Sequence, residues 1–262
     1  LLVAGASAVC RVAAFGQDHL IDPQPLSSEQ VRALSKLFDR DGDGKISLAE
    51  VLAYSEDVRM SIAEKDVSGI YPEIDTDKNE RLSVKEVLAD SDNYADEEES
   101  GKEKKARRKA EKDKFKAADS NGDGELDKDE MRGFFFPEVN EEVLKINTAA
   151  EHKKKDANKD GKLSPDEFWG TEQAAKEDEK ADMEASFNVL DEDSDGFLSS
   201  KELEYWESGR FHTIEAMKRL FQIADVDEDA HLTADELDAV REKIVAEDAH
   251  STIVEWVQHH EL

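Results

Sequence analysis

One twelve-residue pattern recurs six times along this chain, and an internal repeat of this kind constrains the fold more than any other feature of the sequence. Its clearest copy is Asp39–Glu50, which has oxygen-bearing side chains at positions 1, 3, 5, 9 and 12 and a glycine at position 6. The other copies are Asp75–Glu86, Asp119–Glu130, Asp156–Glu167, Asp191–Glu202 and Asp225–Glu236. Position 8 is aliphatic in every copy: Ile46, Leu82, Leu126, Leu163, Leu198 and Leu232. Six copies in register are not a coincidence of an acidic composition.

Alternate residues of a tightly curled loop point inward, and proteins use such loops to give a hard divalent cation about six to eight oxygen ligands. The pattern therefore predicts EF-hand calcium loops, which we number hands 1 to 6 in chain order. Glutamate at position 12 is the expected bidentate ligand, and position 7 is expected to contribute its backbone carbonyl oxygen. The predicted ligands of up to six Ca²⁺ ions are Asp39, Asp41, Asp43, Lys45, Glu50, Asp75, Asp77, Asn79, Arg81, Glu86, Asp119, Asn121, Asp123, Glu125, Glu130, Asp156, Asn158, Asp160, Lys162, Glu167, Asp191, Asp193, Asp195, Phe197, Glu202, Asp225, Asp227, Asp229, His231 and Glu236.

Two loops depart from the pattern at position 6, where hand 2 has Glu80 and hand 6 has Ala230 instead of glycine. This position usually requires a positive φ, which costs a residue with a Cβ atom roughly 1–2 kcal/mol. We therefore expect weaker calcium binding in the loops Asp75–Glu86 and Asp225–Glu236. The imidazole of His231 is expected to be exposed rather than a ligand.

The composition is strongly acidic, with 65 acidic and 35 basic residues and a formal net charge of −30. A general nucleic-acid binder would need a basic footprint, so this charge excludes that class. Composition alone also allows a solvated or partly disordered acidic protein. The repeat favours a folded one, because 22 of the 65 acids lie at positions 1, 3, 5, 9 and 12 of the loops.

The segments between consecutive loops are 22 to 32 residues long, enough for an exiting helix, a link and an entering helix. We predict an all-α fold of six EF-hands in three pairs, with short antiparallel β contacts between the position-8 residues of paired loops. Pairing of neighbours in sequence gives these domains: hands 1–2 in 28–90, hands 3–4 in 102–180 and hands 5–6 in 181–258. The acidic linker 91–101 is the predicted hinge.

Two further stretches have alternative interpretations. The basic stretch Lys102–Lys116 could be a nuclear-localisation or phosphate-binding segment. Interleaved acids favour a solvated helix, with Glu103 and Arg107 as an i,i+4 pair. The aromatic run Phe134, Phe135 and Phe136 is expected in a core rather than on a binding surface.

The two ends of the chain suggest a cellular location. Residues 1–15 are apolar and contain Ala6-Ser7-Ala8, which predicts the remainder of a secretory signal peptide, followed by a linker over 16–27. The alternative is an apolar N-terminal helix that packs on the body of the protein. Residues 259–262, His-His-Glu-Leu, differ at one place from the retention signal His-Asp-Glu-Leu of the endoplasmic reticulum. No segment is long enough to span a bilayer, and the one cysteine, Cys10, lies in the predicted signal segment.

Three motifs next to the loops resemble a known family. They are Phe115-Lys116-Ala117-Ala118-Asp119, Phe135-Phe136-Pro137-Glu138 and Lys201-Glu202-Leu203-Glu204-Tyr205-Trp206. With the six loops between a signal-like start and a retention-like tail, the chain resembles the calumenin and reticulocalbin group, the CREC family, over about residues 28–262. The resemblance implies a calcium-binding protein of the secretory pathway that assists client proteins there.

Three classes of function compete. The first is a low-affinity Ca²⁺ buffer and Ca²⁺-dependent binder of client proteins in the lumen of the endoplasmic reticulum, expected to be monomeric. The alternative is a cytosolic six-hand buffer or sensor similar to calbindin. An enzyme is not expected, because the acids belong to metal loops and no motif combines a histidine, a carboxylate and a nucleophile.

Overall fold

The computed structural model describes residues 24–95, 98–170 and 177–260, which are mostly helical. The predicted signal segment 1–15, most of the linker 16–27 and the last two residues of the tail 259–262 lie outside these ranges. The chain divides into two compact units. The central unit is Ala63–Gly209, and the terminal unit combines the described residues up to Ile62 with those from Arg210 onwards.

Helices dominate both units, as the all-α prediction required. They are α1 (Ser28–Phe38), α2 (Leu48–Ile74), α3 (Val84–Asn93), α4 (Gly101–Ala118), α5 (Lys128–Phe135), α6 (Glu141–Lys155), α7 (Pro165–Trp169), α8 (Glu177–Leu190), α9 (Ser200–Glu207), α10 (Arg210–Ala224), α11 (Ala234–Val240) and α12 (Asp248–His260), with 3₁₀ turns at Pro137–Val139 and Ile244–Ala246. The strands have two residues each: β1 (Ile46–Ser47), β2 (Leu82–Ser83), β3 (Glu125–Leu126) and β4 (His231–Leu232). None of the helices in the described ranges is long and apolar enough to cross a membrane.

The loop pattern itself determines where the exiting helices begin. Position 9 is the N-cap residue and position 12 is the third helical residue, so a serine, threonine or aspartate at 9 with glutamate at 12 forms a capping box. In α3, for example, Ser83 accepts from the N–H of Glu86, and the Glu86 carboxylate accepts from the N–H of Ser83. The same reciprocal bonds begin α5, α7, α9 and α11. The metal-loop pattern is therefore also a helix-start signal.

The hands pair through position 8, as predicted, but the partners differ from the predicted ones. Ile46 is paired with Leu232 and Leu82 with Leu126 in antiparallel ladders. Leu163 and Leu198 exchange two backbone hydrogen bonds of 2.9 and 2.8 Å. The pairs are thus hands 1 and 6, 2 and 3, and 4 and 5. The predicted pairs 1–2, 3–4 and 5–6, with the domains 28–90, 102–180 and 181–258, are wrong.

The segment between loops 1 and 2 explains this difference. Its 24 residues were expected to form two helices and a link, but α2 runs without interruption from Leu48 to Ile74 and includes Pro72. The chain has no turn in which loop 2 could fold back on loop 1. Hand 1 therefore pairs with hand 6, which leaves hand 2 to pair with hand 3 and hand 4 with hand 5.

In the terminal unit, α12 completes the core of hands 1 and 6. Trp256 of α12 packs edge-on against Phe38 and Tyr54, with ring centroids 6.0 and 5.6 Å apart. Phe38 and Tyr54 are themselves 5.0 Å apart. All three side chains are buried in a cluster that includes the position-8 residues Ile46 and Leu232. The pattern of the loops gave no sign of this helix.

In the central unit, the aromatic run after hand 3 lies in the core, as predicted. Phe134, Phe135 and Phe136 are buried with Phe115 around Leu82 and Leu126, which have no exposed surface. In hands 4 and 5, Leu163, Leu198 and Phe168 are all buried, and Phe168 contacts the rings of Phe187 and Trp206. The predicted core assignment of the aromatic run is confirmed.

The basic stretch in α4 has intramolecular partners. Arg107 bonds Glu99 with a 2.8 Å Nε–Oε1 contact and Asp92 with a 2.9 Å Nη2–Oδ1 contact, and Arg108 also pairs with Asp92. Glu103, the predicted partner of Arg107, instead forms a capping box with Ser100. Asp92 and Glu99 both belong to the predicted hinge 91–101, so these ion pairs attach that segment to α4.

Gly133 of α5 offers a test of the packing after hand 3. A Cβ atom there would lie 2.5 Å from Nδ2 and 2.7 Å from Cβ of Asn140, whose Oδ1 caps α6 by accepting from Glu142 and Val143. We expect Gly133→Ala to lower the free energy of unfolding by about 1–3 kcal/mol, through overpacking and loss of the cap.

The matched control is Gly69→Ala in α2, where an added Cβ meets no atom within 4 Å. In a helix interior, alanine stabilises the folded state by roughly 0.5–1 kcal/mol relative to glycine. This variant should therefore be more stable than the parent. Urea unfolding followed by circular dichroism measures both. Equal stability of the two variants would contradict the close approach of Gly133 and Asn140.

Candidate metal centres

The aspartate at position 1 organises each loop through backbone hydrogen bonds. In all six hands its Oδ1 accepts from the N–H of position 5 at 3.0–3.3 Å. Its Oδ2 accepts from the N–H of position 6 at 2.8–3.0 Å. These bonds curl the loop around one carboxylate, and they place the side chains of positions 1, 3 and 5 on its inner side.

The glutamate at position 12 joins the two ends of each loop. One oxygen accepts from the N–H of position 2 at 2.9–3.2 Å. The other accepts from the N–H of position 9 at 2.8–3.1 Å. The side chain predicted to bind calcium with both oxygens is therefore already held across the loop.

These hydrogen bonds lower the pKa of several position-12 carboxylates. Burial alone would raise the pKa of Glu86, but the bonds from Ser83 and Thr76 outweigh it and lower the pKa to about 2. Hydrogen bonds from the backbone and side chain of Ser47 likewise lower the pKa of Glu50. A backbone bond from Thr233 lowers the pKa of Glu236 despite partial burial. An ionised carboxylate is the form that a hard cation binds.

Carboxylate oxygens converge in four of the loops, to within 4.8 Å of one another. In hands 1 and 6 the converging groups are the aspartates at positions 1, 3 and 5: Asp39, Asp41 and Asp43, and Asp225, Asp227 and Asp229. In hands 2 and 5 they include position 12: Asp75, Asp77 and Glu86, and Asp191, Asp193 and Glu202. A donor set made only of oxygens at this spacing fits Ca²⁺, whose ligands lie about 2.3–2.6 Å from the ion.

Hands 3 and 4 use an amide in place of one carboxylate. Position 3 is Asn121 in hand 3 and Asn158 in hand 4. Each Oδ1 accepts from the N–H of the aspartate at position 5, at 2.8 Å in both cases. Their other predicted ligands, Asp119, Asp123, Glu130, Asp156, Asp160 and Glu167, occupy the same loop positions as in the other hands.

The side chains at position 7 have a role that the sequence pattern did not predict. Position 7 was expected to supply only a carbonyl oxygen, yet in each pair one position-7 cation bonds the position-5 carboxylate of the other hand. Arg81 Nη1 lies 2.6 Å from Asp123 Oδ2, Lys45 pairs with Asp229, and Lys162 pairs with Asp195. The bond from Lys162 lowers the pKa of Asp195, and that from Lys45 lowers the pKa of Asp229.

A signal for these contacts was present in the sequence. Hands 1, 2 and 4 have Lys45, Arg81 and Lys162 at position 7, whereas hands 3, 5 and 6 have Glu125, Phe197 and His231. Each observed pair therefore combines one hand from each group. Pairing of hands 1 and 2 would have placed two cations beside the same ladder.

Comparison with known proteins agrees with this geometry. The sequence model described as EF hand matches residues 112–135, 154–170 and 183–204, which contain the loops of hands 3, 4 and 5. The model described as EF-hand domain pair matches residues 12–58, which contain the loop of hand 1. The loops of hands 2 and 6, the two without glycine at position 6, lie outside these ranges.

Several curated proteins are similar to the chain. Calmodulin-like protein 2 of Arabidopsis thaliana is 32% identical over 44% of this chain and 79% of its own length. Human reticulocalbin-3 is 25% identical over 90% of this chain and 78% of its own length. An endoplasmic reticulum-resident calcium binding protein of Plasmodium falciparum is 30% identical over 75% of this chain and 59% of its own length.

The reticulocalbin similarity extends across both units, and the hydrogen-bonded loops, helix starts and position-8 contacts are those of paired EF-hands. The chain belongs to the EF-hand proteins, and within them it is a Ca²⁺-binding protein of the CREC type.

Proposed function

We propose that the protein is a low-affinity Ca²⁺ buffer of the endoplasmic reticulum lumen that binds client proteins of the secretory pathway when its loops are filled. The observation that carries the proposal is the six-fold repetition of one loop, with all-oxygen donor sets at positions 1, 3, 5 and 12. The ligands we propose are those predicted from the sequence, two hands to a pair. Each pair would hold two ions, one on each side of its position-8 contact.

Calcium has a large effect on stability in this proposal because so many acids are gathered together. Without metal, the carboxylates of one loop repel each other. They are balanced by backbone N–H groups, by hydroxyl groups at positions 2 and 9 and, in hands 3, 5 and 6, by the position-7 cation of the partner hand. One ion stabilises the folded state by about 0.4 kcal/mol when free calcium equals Kd, and by about 1.4 kcal/mol at ten times that concentration. Six sites at the higher ratio would contribute roughly 8 kcal/mol, which is comparable to the stability of a whole domain.

The luminal location is supported by three observations. Relatives at modest identity include reticulocalbins and an endoplasmic reticulum-resident calcium binding protein. The predicted signal segment and retention-like tail are consistent with the same compartment. Calcium-rich spaces suit modules with Kd near 10⁻⁴–10⁻³ M, whereas cytosolic sensors have Kd near 10⁻⁷–10⁻⁵ M.

The alternative, a cytosolic buffer or sensor, is less consistent with the chain. Adaptable target grooves of calmodulin-like sensors rely on methionine, and the chain has only four. The cytosolic alternative would also leave the signal-like start and the retention-like tail without a purpose.

Hands 2 and 6 are proposed as the weaker sites because of backbone strain at position 6. Glu80 and Ala230 have φ values of 61° and 64°, and position 6 of the other hands is glycine. A residue with a Cβ atom is rare in this region, where glycine is at no disadvantage. The strain must be maintained whenever the loop is closed, so it opposes calcium binding.

Calcium stoichiometry and compaction test the proposed function directly. Equilibrium dialysis at millimolar free calcium is expected to recover close to six ions per molecule, and chelation is expected to expand the chain in small-angle scattering. Glu130→Gln should remove about one ion, since it takes a ligand oxygen from hand 3. Glu142→Gln, which removes the same charge from the exposed start of α6, should remove none. Fewer than three ions bound by the parent would refute the proposal.

Relief of the strain at Ala230 gives a second test. Because its φ is 64°, we expect Ala230→Gly to increase the stability of the calcium-loaded protein by about 1 kcal/mol. The control is Ala239→Gly in α11, where glycine should destabilise by roughly 0.5–1 kcal/mol. Thermal unfolding at saturating calcium measures both. A loss of stability in both variants would show that position 6 of hand 6 is not strained.

Location is tested by microscopy of the full-length protein. With its C-terminal His-His-Glu-Leu exposed, the protein should overlap with a marker of the endoplasmic reticulum. A short extension that masks the tail should move it along the secretory pathway and into the medium. A uniform cytosolic signal for both versions would instead support the calbindin-like alternative.

A further inference from the structure

Each pair of hands has one ion pair between a cation at position 7 of one hand and a carboxylate at position 5 of the other. Hand 1 reaches hand 6 through Lys45 and Asp229, hand 2 reaches hand 3 through Arg81 and Asp123, and hand 4 reaches hand 5 through Lys162 and Asp195. In each case the acceptor is a predicted calcium ligand, and the donor belongs to the loop that binds a different ion. A surface ion pair that arose by chance would not recur at one position of three separate pairs.

The partner cation bonds the same oxygen, Oδ2, of each position-5 aspartate. Oδ1 of Asp123 accepts from the N–H of Glu125 in its own loop at 2.9 Å, and Oδ2 accepts from Arg81 at 2.6 Å. Asp195 and Asp229 are arranged in the same way, with Oδ1 bonded to the N–H of position 7 of their own loops and Oδ2 bonded to the lysine of the partner hand. Both oxygens of these three carboxylates therefore have partners within the protein.

The antiparallel ladder explains why the contact forms. In the register of Ile46 with Leu232, position 9 of one strand lies opposite position 7 of the other. Position 7 of each loop is thereby brought to the edge of the partner loop. In the pair of hands 2 and 3 the reverse contact is also made, since Asn79 Nδ2 donates to Glu125 Oε1 at 3.5 Å.

We propose that Lys45, Arg81 and Lys162 are built-in competitors of calcium, each of which lowers the affinity of the partner hand, namely hands 6, 3 and 5. The inference rests on the proposed role of Asp229, Asp123 and Asp195 as calcium ligands. The competitor is a side chain of one loop, and the site that it weakens lies in the other loop of the pair.

The cation weakens calcium binding whether it stays on its carboxylate or moves away. If the cation stays on its carboxylate when calcium arrives, like charges lie close together and repel. If the cation moves away, its ion pair with the ligand is lost. A filled hand 5 thus differs from an empty one in the environment of Lys162, which is a residue of loop 4. The ion pairs therefore give the two loops of a pair a direct electrostatic connection besides the backbone ladder.

The repulsion is Coulombic and exposed to solvent, so it depends on salt. Arg81 and Asp123 have side chains that are 41% and 40% exposed, a position at which the surrounding water and ions screen the interaction. Removal of one positive charge a few ångströms from a divalent ion should strengthen its binding by roughly three- to tenfold at low ionic strength. The gain should shrink as salt is added.

The test compares two lysines of the same loop. Lys162→Gln removes the cation that bonds Asp195, whereas Lys159→Gln removes the same charge from position 4 of hand 4, which makes no bond to hand 5 among the described contacts. Calcium titration calorimetry at low salt is expected to show a three- to tenfold tighter hand 5 in Lys162→Gln, and no tightening of hand 5 in Lys159→Gln. At high salt the advantage of Lys162→Gln should decrease.

The affected site is identified by a second substitution. Glu202→Gln removes a position-12 oxygen from hand 5 and should abolish most of the gain from Lys162→Gln. Persistence of the full gain in the double variant would place the effect outside hand 5 and overturn the inference, as would unchanged or weaker binding in Lys162→Gln alone. These outcomes are distinct from failure of the proposed function, which would appear as absence of calcium binding in the parent protein.

Discussion

Repulsion among clustered carboxylates is the constraint on which this structure depends. Positions 1, 3, 5, 9 and 12 of each loop carry three or four acids, and an unbalanced cluster of that kind would open the loop rather than close it. The protein balances the charge in two ways that require no metal. Backbone N–H groups point at the carboxylates of positions 1 and 12, and cations reach across each pair to position 5. Calcium at the proposed sites would add positive charge in the same place.

The same residues connect charge balance with secondary structure. Because position 9 caps the exiting helix and position 12 completes its capping box, the side chain that closes the loop also fixes the first turn of the helix. A change of charge at position 12 therefore acts directly on the first turn of that helix. The apolar residue at position 8 lies between these elements and joins two such loops, so that neither hand of a pair is independent of the other.

Sequence patterns predicted the local features of this chain better than the long-range ones. The helical fold, the contacts between position-8 residues and the burial of Phe134 follow from local patterns of residues, and these predictions are confirmed. The partner of each loop could not be deduced from the length of the connecting segments, because 24 residues suit two short helices as well as the single helix α2. The charges at position 7 carried information about pairing, but only the register of the ladder shows that position 7 of one hand meets position 5 of the other.

Pairing of the first hand with the last has a consequence for how the terminal unit is stabilised. Lys45 and Asp229 are 184 residues apart, so closing their pair carries a large entropic cost if the intervening chain is unfolded. Each halving of the effective loop reduces that cost by about 0.6 kcal/mol. Folding of the central unit replaces most of the loop by a compact body and therefore favours closure. Calcium bound at the proposed sites of hands 2 to 5 would thus also favour the pairing of hands 1 and 6, although those sites belong to a different unit.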